Sequence, residues 1–215
     1  MGTLYLVATP IGNLEDVTLR ALRVLREADV VLAEDTRRTR VLLDRHAIAA
    51  RPRSLHEHNE ASRTAELLDA LAAGKSVALV SDAGTPLVSD PGERLAAAAI
   101  AAGHAVVPVP GASAVLAALV ASGLPAALFT FLGFLPRKAG ERDRLLAGLR
   151  ERRETLVLFE SPRRVGATLR ALAAALGGER RASVARELTK LHEEHVRGPL
   201  AELAERFAEG ARGEV

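Results

Sequence analysis

Five short strand-like runs, each ending in a polar loop and each followed by a helix-forming segment, constrain this chain more than any other feature of it. The sharpest case is Ser76-Val77-Ala78-Leu79-Val80, which reads as a buried strand bounded by turn residues. Behind it comes Ser81-Asp82-Ala83-Gly84-Thr85-Pro86-Leu87-Val88-Ser89-Asp90-Pro91-Gly92-Glu93, and then a helix over Arg94 to Ala102. Asp90 fits the N-cap of that helix, Pro91 its first position and Glu93 the returning side of a capping box. Strands alternating with helices call for a parallel sheet covered on both faces, and ligands of such sheets bind at the carboxyl ends of the strands. Taken alone, the stretch reads more readily as a well-capped turn than as a site.

The other units repeat the pattern. Thr3 to Ala8 is a strand, followed by the tight loop Thr9-Pro10-Ile11-Gly12-Asn13-Leu14. Val17 to Ala28 is amphipathic, with Ala21, Leu22, Leu25 and Ala28 on one face and Arg20, Arg23 and Arg26 on the other. Asp29 to Ala33 is a strand ending in Glu34-Asp35-Thr36-Arg37, with a helix after it to about Arg45. Arg53-Ser54-Leu55 is extended and ends in His56-Glu57-His58-Asn59, where Asn59 is expected to cap a helix from Glu60 to Ala73 closed by Gly74. Ala105 to Pro108 is a further strand, and Pro110-Gly111-Ala112-Ser113-Ala114 opens a helix reaching Ser122-Gly123.

Leu124-Pro125-Ala126-Ala127 marks the expected domain boundary, giving one domain over 1–124 and a second over 125–215. In the second, Leu128 to Pro136 leads into a very basic helix from Arg137 to Arg152, then a strand from Thr155 to Phe159. Ser161-Pro162 supplies an N-cap and first turn for a helix to Leu176. Ala182 to Arg186 is a strand, Leu191 to Val196 is extended, and Gly198-Pro199 begins a helix through Glu209. Gly213-Glu214-Val215 looks like the opening of another strand, so the second domain is expected to be cut short.

Composition excludes more than it selects. Hydrophobic content of 48% with 26% charged residues describes a chain that folds rather than one that stays disordered. Aromatics make up only 3%, so any pocket is lined by aliphatic side chains and backbone. The absence of cysteine rules out disulfides, thiolate zinc sites and thiol nucleophiles, and fits a cytoplasmic compartment. No signal-peptide or membrane-span pattern is present, so a soluble intracellular protein is expected. There is no P-loop, no G-x-G-x-x-G after the first strand and no G-x-S-x-G elbow. His192 and His195 stand three apart instead of the four a helical zinc protease needs, and His56 and His58 point oppositely on an extended piece. Metal catalysis is not expected.

The loops, taken together, resemble a known family. Ala8-Thr9-Pro10-Ile11-Gly12-Asn13-Leu14, Ala33-Glu34-Asp35-Thr36-Arg37, His58-Asn59-Glu60, Ser81 to Pro86 and Pro108-Val109-Pro110-Gly111-Ala112-Ser113-Ala114 occur in that order. Phe159-Glu160-Ser161-Pro162-Arg163-Arg164 and Ala185-Arg186-Glu187-Leu188-Thr189-Lys190 follow. This set is similar to the bacterial 16S ribosomal RNA methyltransferases of the tetrapyrrole methylase superfamily, which 2′-O-methylate a cytidine in the decoding region. The resemblance covers essentially the whole chain, although family members usually continue into a small helical domain. It implies an α/β protein of the class III methyltransferase kind, with two αβα domains, S-adenosylmethionine in the cleft between them, and a homodimer. It places the cofactor on Pro10, on Ser81, Asp82, Ala83, Gly84, Thr85 and Pro86, on Gly111, Ala112 and Ser113, and on Leu132, Gly133 and Ala185. Physically, a zwitterionic ligand bearing adenine needs backbone donors with little side-chain bulk in the way, which glycine and alanine loops supply. Asp82 is suited either to the ligand's ammonium or to fixing its own loop.

A ribose hydroxyl is a poor nucleophile at neutral pH and gains from a neighbouring base or cation. Glu34, Asp35, His56 and the Glu187–Lys190 pair are the candidates, while Arg37, His56, Asn59, Arg163 and Arg186 are candidates for holding substrate. RNA binding should also leave an electrostatic trace. Arg137, Lys138, Arg142, Arg144, Arg150, Arg152 and Arg153 are interleaved with only Glu141, Asp143, Glu151 and Glu154, which favours a surface that tracks phosphates. Two other readings stay open: a methylase of the same superfamily acting on a tetrapyrrole or other small molecule, and a non-catalytic RNA-binding module.

Overall fold

The computed structural model describes residues 2–215. Its internal contacts divide the chain into two compact units, one running to Ser113 and the other beginning at Ala114. The division falls earlier than the boundary expected near Leu124, and it assigns the helix Ala114–Ala121 to the second unit.

The first unit is a five-stranded sheet. Its strands are β1 (Thr3–Val7), β2 (Val30–Ala33), β3 (Arg53–Ser54), β4 (Ser76–Val80) and β5 (Ala105–Val109), in spatial order β3-β2-β4-β1-β5. All pairings are parallel, as in Leu4 opposite Val77 on one side and Val106 on the other. Four helices cover it: α1 (Leu19–Glu27), α2 (Thr36–Arg45), α3 (Glu57–Ala72) and α4 (Glu93–Ala101). The strand alternation sorts the core into two layers. Ala78 and Val80 pack with Leu22, Leu25, Leu42 and Leu43 on the α1–α2 side, whereas Val77 and Leu79 pack with Leu67, Leu71, Leu95 and Ala99 on the α3–α4 side. Each such leucine, removed wholly from water, contributes roughly 2 kcal/mol.

Helix starts depart most from expectation. Asp90 does not cap α4; the cap position is Gly92, at φ 116°, with no side-chain bond. The buried Glu60 of α3 supplies the missing acceptor, its Oε1 taking the backbone N–H of Leu95 at 3.0 Å. Likewise α3 begins at Glu57 after His56, earlier than an Asn59 cap would allow. Asn59 sits in the first turn, and its Oδ1 accepts from the His56 N–H at 2.9 Å.

The second unit carries α5 (Ala114–Ala121), β6 (Phe129–Phe134), α6 (Ala139–Ala147), β7 (Thr155–Phe159), α7 (Val165–Leu176), β8 (Arg181–Arg186), β9 (Glu194–Pro199) and α8 (Leu200–Arg206). β6 and β7 pair in parallel, with a register shift between Phe131 and Phe134, and β8 and β9 pair antiparallel. The basic helix is shorter than expected, because Gly148 ends it and the chain turns before Arg152. α7 starts at Val165 instead of at Ser161-Pro162, since the Glu160 carboxylate takes the Ser161 N–H at 2.7 Å and holds those residues in a preceding turn. β9 lies further along than the Leu191 to Val196 piece expected, and α8 stops before Glu209. One apolar core joins Leu146, Leu169, Leu172, Val184, Val196, Leu203 and Phe207. Where α7 meets the end of α8, Gly166 is required: a Cβ there would stand 2.1 Å from the Phe207 carbonyl oxygen.

Candidate active site

In the first unit the loops at the carboxyl edge of the sheet are tied to each other. Thr9, after β1, and Gly84, after β4, exchange both backbone bonds, at 2.9 and 3.0 Å. The Thr9 hydroxyl also donates to the Ser81 carbonyl at 3.0 Å. The Asp82 carboxylate reaches the loop after β2, where Oδ1 accepts the Asp35 N–H at 2.8 Å and Oδ2 lies 3.9 Å from Arg38 Nε. Thr85 donates to the Ala112 carbonyl at 3.4 Å, reaching the loop after β5. Five of the strand-end residues named from the sequence, Asp35, Asp82, Gly84, Thr85 and Ala112, thus belong to one connected rim, with the buried Pro10 next to Thr9.

The backbone of this rim is specialised. Gly84 stands at φ 83°, and a Cβ there would meet Ile11 Cγ2 at 3.3 Å. A Cβ on Gly111 would stand 3.0 Å from that of Ala8. Leu87 and Ser89, neither of them glycine, are also left-handed, at φ 70° and 66°. Ala83, Thr85 and Gly111 are exposed while Ser81, Gly84 and Pro86 are buried, so the loops present backbone with little side-chain bulk.

Two adjacent carboxyls are driven apart. The Arg37 guanidinium and backbone N–H bind Asp35 and lower its pKa to about 2. Burial, with Asp82 and Asp90 alongside, raises that of Glu34 above its ordinary value, against the pull of Arg38. Arg37 is therefore occupied by Asp35. At the end of β3, the His56 Nε2 and Asn59 Nδ2 are 3.1 Å apart, while His56 Nδ1 is buried with no hydrogen-bond partner among the described residues. That pair is linked to β2 through the Leu55 N–H and the Ala33 carbonyl, at 2.7 Å.

In the second unit, the register shift of β6 falls on Leu132-Gly133, with Gly133 at φ 62°. Leu132 packs on the apolar core there, and Ala185 lies in β8 opposite His195. The turn between β8 and β9 holds Glu187 and Thr189 at φ 51° and 63°, the latter a β-branched residue in a region it rarely visits. Lys190 Nζ is 3.0 Å from Glu187 Oε1 and 2.9 Å from Glu214 Oε2. Burial works against its charge, but these two carboxylates outweigh it and hold the ammonium above its ordinary pKa. The Glu214 backbone and Lys190 likewise lower Glu187. Arg186 is engaged by Glu194 at 2.6 Å, whereas Arg163 is exposed and makes no ion pair among the described residues. A cleft of about 660 Å³ lies beside this turn, lined by Arg186, Glu187, His192, Phe207 and residues 209–213.

The sequence that builds this architecture has known relatives. Residues 3–204 match the model of the tetrapyrrole (corrin/porphyrin) methylases. The chain belongs to the tetrapyrrole methylases. A Mesorhizobium japonicum protein named ribosomal RNA small subunit methyltransferase I is 56% identical over 99% of the chain and 73% of its own length. A Thermotoga maritima protein of the same name is 48% identical over 96% of the chain and 92% of its own length. Among solved structures, uroporphyrin-III C-methyltransferase from Thermus thermophilus complexed with S-adenyl homocysteine is 25% identical with a TM-score of 0.66, covering 99% of this chain and 95% of the other. As in other tetrapyrrole methylases, α/β architecture with a parallel sheet frames the site.

Sequence reasoning left out several residues that this tetrapyrrole methylase uses to hold its two units in shape. Thr9, Arg38, Glu60, Glu160 and Glu214 all hold loops or helix starts in place. Glu60 had a legible signal: the buried stripe of α3 runs Glu60, Thr64, Leu67, Leu71, so a carboxylate continues an otherwise inward face. Glu214 is distant in sequence and gave none.

Proposed function

We propose that this chain transfers a methyl group from S-adenosylmethionine to the 2′-hydroxyl of a cytidine in 16S ribosomal RNA, working in the cytoplasm, as a homodimer, on the small ribosomal subunit. The observation that carries the reading is the 56% identity, across 99% of the chain, to a ribosomal RNA small subunit methyltransferase. Among the described residues no helix is long and apolar enough to cross a membrane.

The rim fits the methyl donor because Gly84 and Gly111 leave no room for side chains where backbone must come close. Pro10, residues 81–86 and residues 111–113 would hold it in the first unit, and Leu132, Gly133 and Ala185 in the second. When bound, S-adenosylmethionine supplies a methyl group activated by its sulfonium. Asp82 already accepts the Asp35 N–H, so its first task is to fix the rim.

Of the catalytic candidates, Glu34 suits proton acceptance, because its raised carboxyl lies nearer neutral pH than that of Asp35. Lys190, held protonated, suits stabilising negative charge on a ribose or phosphate oxygen. In the basic segment, Lys138, Arg142 and Arg152 are paired with Glu141, Asp143 and Glu154, leaving Arg137, Arg144, Arg150 and Arg153 exposed with no ion pair among the described residues. Those four, with Arg163, are cations of the second unit available to RNA phosphates.

The test is methyl incorporation from labelled donor into small subunits lacking the modification, beside free 16S RNA and a tetrapyrrole. Label in the cytidine ribose is expected; transfer to the tetrapyrrole alone would overturn the assignment.

A further inference from the structure

We infer that Asp90 is a latch that closes the methyl-donor loop on itself through Ser81, and so is a positioning residue for donor binding. The inference rests on the methyl-donor reading above. Asp90 stands where a helix cap was expected, yet α4 does not use it: Gly92 takes the cap position and Glu60 supplies the carboxylate to the Leu95 N–H. The Asp90 side chain is turned back instead, its Oδ2 in hydrogen-bond contact with the Ser81 hydroxyl. That same hydroxyl oxygen accepts the Ala83 N–H at 3.1 Å. The Ser81–Asp90 contact therefore closes a ring around residues 82–89.

Everything that ring encloses needs holding. It contains Asp82, Ala83, Gly84, Thr85 and Pro86, and it contains two left-handed residues that are not glycine, Leu87 and Ser89. Each such residue is strained and persists only where its surroundings impose it. Thr9 fastens the near side of the ring at Gly84, but among the described residues the 87–89 side has no comparable anchor in the backbone apart from a long Val88 N–H to Thr85 bond of 3.4 Å. Asp90 meets that need. Its carboxylate is half-buried, which works against its charge, and the Ser81 hydroxyl it receives offsets part of that, a hydrogen bond to a charged group being stronger than a neutral one. Releasing it would let Leu87 and Ser89 relax out of the left-handed region, and the backbone groups at Ala83 to Pro86 would lose their preset positions.

The experiment measures binding of S-adenosylmethionine by calorimetry to the full chain and to Asp90→Ala, Asp90→Asn, Ser81→Ala and the Ser81→Ala/Asp90→Ala pair, with kcat and KM for each. Asp90→Ala should raise the donor dissociation constant about tenfold, the size expected for one charged hydrogen bond. Turnover at saturating donor should be kept, and Asp90→Asn, which still accepts a hydroxyl, should recover most of the affinity. The double variant should be no weaker than Asp90→Ala alone. Where Asp90→Ala melts before it can be measured, Ser81→Ala must show the same tenfold loss or the latch is wrong. Donor affinity unchanged in Asp90→Ala, or losses that multiply in the double variant, would overturn the latch. Failure of the unaltered chain to bind the donor would instead sink the methyl-donor reading.

Discussion

Glu60 and Leu95 are 35 residues apart, yet the carboxylate of one caps the helix that contains the other, with Oε1 to N at 3.0 Å. The bond satisfies a buried first-turn N–H of α4 with a buried carboxylate oxygen, and it excuses Gly92 from offering a side chain. Glu60→Ala leaves the Leu95 N–H without a partner in the core and should cost about 1–2 kcal/mol in urea unfolding. Glu60→Gln keeps an acceptor and should lose less. Equal losses in the two would show that the carboxylate fills space without capping.

Gly92 itself should resist replacement. Its φ of 116° disfavours any side chain, and a Cβ would stand 2.4 Å from Leu79 Cδ2 in the core. Gly92→Ala should lower stability by roughly 1–3 kcal/mol, read as a fall in melting temperature. A melting curve like that of the unaltered chain would rule out this packing account.

Asp35 should titrate at about 2, below the ordinary 3.8. A carboxyl depressed by folding contributes stability that is complete above the unfolded value and is lost as pH falls from about 4 towards about 2. Arg37→Gln removes the main cause and should raise the midpoint, as followed by carboxyl carbon shifts in NMR. Glu34 should titrate above its ordinary value in the same spectra, and a Glu34 midpoint below that of Asp35 would end its candidacy as the base.

Lys190 should show no proton loss in the neutral range, because Glu187 and Glu214 hold it charged. Lys190→Gln should lower kcat more than it changes donor affinity, and Lys190→Arg should recover part of the loss. A pH–rate limb between 6 and 8 that disappears in Lys190→Gln would instead make Lys190 a base.

Binding of 16S RNA should weaken linearly on a log–log plot against salt. Replacing Arg137, Arg144, Arg150 and Arg153 by Gln should flatten that line by about 0.7 to 0.9 for each phosphate contact removed. Replacing the paired Arg142 and Arg152 should flatten it less. An unchanged slope in the fourfold variant would place the RNA elsewhere.

Much of the frame was legible because it rests on local signals. Val77 and Leu79 against Ala78 and Val80 alternate as a strand buried on both faces must, and four of the five parallel strands of the first sheet, all but β3, end where an apolar run gives way within three residues to Pro or Asp. The loop sequences carried the family as well. What escaped were choices between chemically equal partners. Asp90 and Glu60 are both able to cap α4, and only the packing of α3 on α4 decides for Glu60. Lys190 beside Glu187 was visible as a pair, but its charge state depends on Glu214, which only the fold brings there. The pairing of Arg37 with Asp35 was equally silent, since two residues of spacing leaves an arginine free to turn either way.

The reciprocal bonds between Thr9 and Gly84 make two loops, far apart in the chain, into a single mechanical part. A segment carrying residues 9–14, exchanged alone for that of a distant relative, would arrive with its own backbone shape and find the wrong counterpart after β4. Grafting both segments together should succeed where either one fails, so the practical unit for re-engineering this enzyme is the joined pair.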